Sequence, residues 1–294
     1  MKMFELLVLA AIWGASFLFM RIATPELGAI ALIACRVGIA TLLLLPVLRT
    51  REARRQLRSR AVPIFIVGLS NSALPFCLLA WSTLYVNAGF DSVLNATTPL
   101  WTAVIAWLGF GIRMTRVQAV GLLLGLAGVL ILVHDKLSTG AAAIPLAIGA
   151  ALIATLSYGF AANYSKRHLA GISPFVLAFG SQAAATLVLL PLAALFWPAH
   201  PVAASTWACV VALGVVCTGI AYVLFFHLIE HVGAAYATSV TFLIPVFGMV
   251  WGALFLGERV SASMLAGCVV VLFGTAVASG KLGRLTLLSR PAPD

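Results

Sequence analysis

The chain has 294 residues, 63% of them hydrophobic and only 9% charged, with a formal net charge of +10 and a mean hydropathy of +1.12. A water-soluble domain of this size carries about 25% charged residues, so this composition excludes an ordinary soluble surface and calls for lipid. The positive balance does not read as nucleic-acid binding: the basic residues sit in short connections between apolar runs, the pattern that orients a membrane protein.

Taken in chain order, ten helices are predicted, approximately over residues 4–22, 27–48, 62–84, 90–111, 116–134, 144–165, 173–196, 204–228, 234–256 and 262–280. No Asp, Glu, Lys or Arg occurs from Ala61 to Phe90, from Ser92 to Ile112, from Leu137 to Ser165 or from Val232 to Gly257. Each run exceeds the roughly 18 residues at which a membrane span is the default reading. Inside lipid every backbone polar group needs an internal partner, which only helices and closed barrels provide. The runs lack the alternation of barrel strands, so helices are expected. The apolar run after Met1 and Lys2 reads as a first span rather than a cleaved signal, because the chain after it is also membrane-embedded. Pro25, Gly89, Pro174 and Gly233 fall at or near predicted helix starts or turns. The end of the tail, Ser289–Asp294, is expected to be disordered.

The basic residues fix an orientation. With the N-terminus in the cytoplasm, that side holds Lys2, Arg49, Arg51, Arg54, Arg55, Arg58, Arg60, Arg113, Arg116, Lys166, Arg167, Lys281, Arg284 and Arg290. The opposite side holds Arg21, Lys136 and Arg259, and Arg36 lies within the membrane. The positive-inside rule then places both termini in the cytoplasm.

The chain also repeats. At a shift of 146, Gly68 falls on Gly214, Leu78 on Leu224, Val86 on Val232, Pro99 on Pro245, Leu108 on Leu254, Gly111 on Gly257, Arg113 on Arg259, Gly121 on Gly267 and Gly128 on Gly274. Earlier, at a shift of 145, Trp13 meets Tyr158, Gly14 meets Gly159, Arg21 meets Lys166, Thr41 meets Thr186 and Pro46 meets Pro191. Five spans per copy is an odd number, so the second copy must be inverted. The expectation is an all-α membrane protein of ten transmembrane helices arranged as two inverted-topology five-helix repeats, residues 1–135 and 144–280, with a cytoplasmic tail, 281–294. Inverted repeats are a transporter signature, with a binding site near the midplane between the halves.

The run from Ile244 to Arg259, with its mid-helix proline and closing Leu256-Gly257-Glu258, resembles the ninth helix of EamA-type carriers of the drug/metabolite transporter superfamily. Trp13-Gly14-Ala15-Ser16-Phe17 resembles their first-helix motif, and Arg36 stands where many members carry a second-helix arginine. The resemblance covers the whole chain, although Ile112 stands where Glu258 has its repeat partner, so no paired functional carboxylate is assigned. It implies a secondary transporter of the bacterial inner membrane, most similar to exporters of amino acids and metabolites, the aromatic amino-acid exporters among them.

Arg36 is the sharpest single residue, since a charge at a helix centre costs about 2.5–3.5 kcal/mol on insertion scales. It is read either as a partner for a substrate carboxylate or as a lock on helix carbonyls. Pro99 and Pro245, at equivalent repeat positions, are expected in the middles of helices four and nine as kinks that gate or shape the cavity. Trp13, Trp101, Tyr158 and Tyr222 lie well inside their spans and need partners for their polar tips. With Ser16, Asn71, Asn95 and Asn163 they form the expected substrate contacts. Each such polar side chain has a competing role in joining helices, worth about 0.6 kcal/mol, and Gln182 belongs with them. The glycine pairs Gly121/Gly125 and Gly248/Gly252 predict close helix packing.

His227, Glu230 and His231 read as a solvated helix end. Asp91 and Glu258 read as near the outer ends of helices four and nine. The five cysteines lie in apolar runs without metal-ligand spacing, and no metal, cofactor or catalytic residue is expected. There is no P-loop, and no titratable group stands out in the pathway, which points to facilitated transport or exchange. One arginine at depth fits phosphorylated substrates poorly. The expected cargo is therefore neutral or zwitterionic, amino acids including aromatic ones, moved outward by alternating access. A broad-specificity drug efflux carrier and a membrane-embedded lipid-acting enzyme are the rival readings. The expected partners are a small-molecule substrate and membrane lipid, with the chain a monomer and a dimer as the alternative.

Overall fold

A computed structural model describes residues 2–137 and 142–279, and these are all-helical. Among them, seven helical segments are long and apolar enough to cross a membrane, and two shorter helices are equally apolar. The tail expected at 281–294 lies outside the described residues.

The first segment, α1 (Lys2–Leu44), has 43 residues. At about 1.5 Å per residue it would measure roughly twice a bilayer core of about 30 Å if straight. It is not straight. Gly28 has φ 71° and ψ 156°, outside any helix, a conformation open to a residue without a β-carbon. The two arms fold back on each other, because Arg36 and Met20, equidistant from Gly28, are in contact. The separate helices expected at 4–22 and 27–48 are thus two arms joined at one glycine. A 3₁₀ turn (Leu45–Arg49) then leads to a short surface helix, α2 (Arg51–Ser59).

Helix α3 (Ala61–Ser82) contains a π-helical stretch at Leu69–Ala73. The fourth expected span is broken: α4 (Ala88–Asn95) ends, and α5 (Thr98–Phe110) starts afresh. Next come α6 (Arg116–Leu137), α7 (Ala143–His168), α8 (Pro174–Leu195) and α9 (Ala204–Val232). A π-helical stretch at Ala212–Ile220 interrupts α9. One turn (Ala234–Ala237) and a 3₁₀ turn (Thr238–Phe242) precede α10 (Ile244–Leu256), and α11 (Ala262–Ala278) follows.

Pro99 and Pro245 were expected inside continuous helices. Each instead sits in the first turn of a new helix, α5 or α10, where the missing N–H would have had no partner anyway. The break, rather than a strained kink, is what the prolines mark.

Local structure recurs at the repeat spacing. The two π stretches overlap under the 146 shift, and α5 and α10 end in matching turns, with Ile112 N–H on Ala106 carbonyl (2.9 Å) and Glu258 N–H on Gly252 carbonyl (3.1 Å). Packing recurs too. Gly14 lies against Phe247 and Gly248, and Gly159 against Trp101 and Thr102; Gly68 lies against Ser181 and Ala184, and Gly214 against Arg36 and Ile39. The tightest seam joins α6 to α11. A methyl group on Gly121 would collide with the backbone of Gly274 and Ala278, and one on Gly274 with the backbone of Gly121 and Gly125. Only glycines allow backbones to approach this closely in lipid, where packing replaces the hydrophobic drive.

The bundle has two ends. Following α1 out and back, one end carries Gly28 and the other carries Lys2 and α2. The main buried core lies between them and draws on both α1 arms, α3, α4, α7 and α9.

Candidate functional site

Arg36 projects from the second arm of α1 into the bundle and is 5% exposed. Its Nε donates to the Thr218 hydroxyl at 2.9 Å, and its Nη1 reaches the Met20 sulfur at 3.8 Å. The guanidinium carbon lies 4.0 Å from the centre of the Phe76 ring, a cation–π contact of about 0.5–2 kcal/mol. The π stretch of α9 makes this possible: Thr218 donates to the Leu213 carbonyl five residues back (2.8 Å), leaving a hydroxyl lone pair for Arg36. Cys217, Tyr158 and Tyr222 lie within electrostatic range. Among the described residues no carboxylate pairs with Arg36, and its Nη2 donors have no protein partner. A buried charge held by a hydroxyl, a ring and a sulfur is only partly compensated.

Around it the structure gathers several expected residues. Tyr158 meets Phe76 edge-on at 6.4 Å. Tyr222 stacks on Phe226 at 5.8 Å, and its hydroxyl is surrounded by Asn71, Ser72 and Gln182, the Gln182 amide donating to it at 3.4 Å and to Ser72 at 3.0 Å. Asn71, Tyr222, Phe226, Ser165 and Ser181 line a cavity of about 120 Å³. Its walls come from the first half of α3, the early turns of α8, the late turns of α7 and the second half of α9, so it extends from the middle of the bundle toward the α2 end.

Other expected residues are placed differently. Trp13 packs on Phe225 at 5.3 Å. Asn163 gives its amide protons to the carbonyls of Thr102 and Gly159, both at 2.9 Å, so it joins α7 to α5 and has no donor to spare for a substrate. Three retain unsatisfied polar atoms: the Ser16 hydroxyl, beside Cys217, the Asn95 side-chain carbonyl and the Trp101 ring N–H are buried without partners. Buried polar atoms are normally bonded, so these three are open to a ligand or water. Asn95 and Trp101 flank the α4–α5 break and make no hydrogen bond to the Arg36 group.

At the Gly28 end the bundle is closed by a contact that sequence reasoning did not anticipate. Glu258, just past α10, accepts from the backbone N–H of Ala88 (3.1 Å), the first residue of α4. It also lies 3.8 Å from Arg21 Nε, and Arg21 in turn donates to the Thr83 carbonyl. A carboxylate there meets the partial positive charge of a helix start. Glu26 does the same for α9, accepting from Ala203 N–H at 2.9 Å. The repeat positions of this latch at the other end are Ile112, Lys166 and Ala234. Ile112 offers no acceptor, and both it and Lys166 are exposed.

The family model for the EamA-like transporters matches residues 2–134 and, a second time, residues 145–280. The chain belongs to the EamA-like transporter family. It is 26% identical to a probable terminal-alkyne amino-acid exporter of Streptantibioticus cattleyicolor over 95% of this chain and 94% of that protein. It is 22% identical to the uncharacterized transporter YoaV of Bacillus subtilis over 92% and 94%, and 24% identical to the uncharacterized inner membrane transporter YedA of Escherichia coli K12 over 97% and 92%. A solved crystal structure shares the fold with a TM-score of 0.65, 18% identity and 99% coverage of both chains. The protein is therefore a membrane transporter and not an enzyme.

Several contacts of this EamA-like transporter lay beyond sequence reading. Thr218 meets Arg36 across 182 residues, and Ser72 and Phe76 belong to the same group. The sequence signal for Thr218 is a hydroxyl within an otherwise apolar run, Val215 to Gly219. Asp91, expected near a helix end, is fully buried. Ser82 donates to one of its oxygens at 2.8 Å, and the other has no partner.

Proposed function

We propose that this transporter is a secondary exporter of small zwitterionic metabolites, amino acids including aromatic ones, working by alternating access across the inner membrane with both termini in the cytoplasm. The observation that carries the reading is Arg36: a buried guanidinium with free donors and no protein carboxylate, set among aromatic rings and hydroxyls. A substrate carboxylate completes it by the charge-assisted, fork-like geometry that arginine favours. The rings of Phe76, Tyr158 and Tyr222 then suit an apolar side chain. The similarity to a protein named as an amino-acid exporter agrees with this class.

Counting the two α1 arms separately, and adding the two shorter helices, gives ten spans. The recurrence of turns, π stretches and packing at the 146 shift supports two inverted halves of five. The two halves rock about the Arg36 region, with the α4–α5 break and its repeat mate before α10 as the flexible points. A hydrophobic cationic drug is disfavoured, because the unpaired buried charge is positive.

The test is counterflow in proteoliposomes loaded with single unlabelled amino acids and offered labelled phenylalanine. Protein-dependent accumulation supports the reading. Failure of every amino acid, with folded and monodisperse protein, sinks it and moves the assignment to another metabolite class.

A further inference from the structure

The most strongly charged feature of the molecule lies outside the transport path. Helix α2 carries Arg51, Arg54, Arg55 and Arg58, all exposed, and with Ser59 they line a concavity of about 550 Å³. Its single acid, Glu52, is engaged by the Gln56 amide at 3.0 Å. None of the four arginines has an ion-pair partner among the described residues.

The helix is not a loose tether. Thr50 caps its start, accepting from Ala53 N–H at 3.2 Å. Ala53 and Leu57 turn inward onto Ile64, Val67, Leu169 and Val176. Gln56 accepts from the backbone N–H of Ser173 at 2.9 Å, which fixes α2 against the start of α8. Four arginines thus leave one face of a fixed helix and repel one another, an arrangement an anion would stabilise.

Its position selects the anion. Helix α2 lies between the end of one membrane-length helix and the start of the next, a position that sets it at a bilayer surface. Leu42, Leu43 and Leu45 before it, and Val62 and Phe65 after it, are exposed apolar side chains. The basic face is thus flanked in sequence on both sides by exposed apolar side chains, a phosphate-recognising surface next to residues suited to acyl chains. We propose that this concavity binds the headgroup of an anionic phospholipid from the adjoining leaflet, with its acyl chains along the apolar flanks. Basic helices beside a span take anionic lipid in this way. A soluble phosphate compound shares the headgroup chemistry but has no use for the flanks.

The experiment uses the full chain in phosphatidylcholine nanodiscs containing a small fraction of fluorescent phosphatidylglycerol or fluorescent phosphatidylcholine, read by energy transfer from protein tryptophan. The expected result is about a tenfold preference for phosphatidylglycerol. It falls to parity in the variant carrying Arg51→Gln, Arg54→Gln, Arg55→Gln and Arg58→Gln. It persists in Arg113→Gln/Arg116→Gln, which removes basic charge elsewhere in the same set of connections. Glycerol-3-phosphate in solution should not compete at concentrations that leave ionic strength unchanged. If the α2 variant fails to fold, the four Arg→Lys changes replace it, and a preference weakened at least several-fold is expected from loss of the guanidinium fork. No preference in the wild-type protein, equal loss in the Arg113/Arg116 variant, or full competition by glycerol-3-phosphate would each overturn the proposal. The readout does not depend on transport, so it stands or fails separately from the function proposed above.

Discussion

The two ends of the bundle solve the same problem differently. At the Gly28 end, two glutamates reach the starts of other helices, Glu26 to α9 at the surface and Glu258 to α4, and Arg21 ties Glu258 to the α3 terminus. At the α2 end the corresponding position to Glu258 is Ile112, and the helix start of α8 is held by the neutral amide of Gln56. The cavity around Tyr222 and Asn71 lies from the middle of the bundle toward this second end. One end thus carries charge on helix starts, and the other does not. A pair of near-equivalent halves can give an asymmetric resting state through the identity of one residue, Glu258 against Ile112.

That comparison can be broken. The largest effect is expected from Gly121→Val, which drives a branched side chain into the α11 backbone. The seam is common to both ends, so the variant should fail to yield folded, monodisperse protein, as measured by size-exclusion fluorescence. Next is Glu258→Gln, which keeps the shape but removes the charge from the α4 start. A dipole and ion-pair contribution of about 0.5–1.5 kcal/mol corresponds to a roughly 2- to 10-fold shift in the ratio of the two open states. A single cysteine introduced near Ala88 should become modifiable from the Gly28 side in proportion. The sharpened form is Ile112→Glu, which supplies the acceptor that the α2 end lacks, within the register of Ala234 and Lys166. It should slow modification of a cysteine at Ser165 by a few-fold. The smallest effect is expected from Asn163→Ala, which removes one hydrogen bond that joins α7 to α5 and one within α7, the joining bond worth about 0.6 kcal/mol. It should lower the melting temperature modestly while leaving substrate competition unchanged. A substrate-selectivity change in that variant would return Asn163 to the binding site.

Much of the architecture was legible because lipid imposes simple rules. Uncharged runs marked the spans, and glycines and prolines at a constant shift marked positions where backbone geometry, not side-chain chemistry, is fixed. The same rules hid the breaks. Pro99 and Pro245 signalled the right places, but whether proline kinks a helix or opens a new one depends on the residues before it, Asn95 to Thr97 and Thr238 to Leu243. The site was half legible. Arg36, Tyr158, Tyr222 and Asn71 were found because polar groups in apolar runs are conspicuous. Their partners Thr218, Phe76 and Met20 were not, since small hydroxyls, rings and thioethers are ordinary in a membrane helix and become significant only when a charge arrives beside them. Asn163 shows the converse: a conspicuous amide whose protons are both taken by backbone carbonyls. Asp91 stands in the first turn of α4, near the helix end where it was expected, but its burial was not legible because nearness to a helix end says nothing of depth in the fold.

Recognition of a substrate carboxylate by Arg36 is tested most directly by matched competition. Counterflow of labelled phenylalanine would be measured against unlabelled phenylalanine and against phenethylamine, which keeps the ring and amine but lacks the carboxylate. A charge-assisted hydrogen bond of about 1.5–3 kcal/mol predicts at least a tenfold preference for phenylalanine in the wild-type protein. Arg36→Gln should abolish that preference while the protein remains folded. Equal competition by phenethylamine, or an undiminished preference in Arg36→Gln, would contradict the assignment of Arg36 as the carboxylate site.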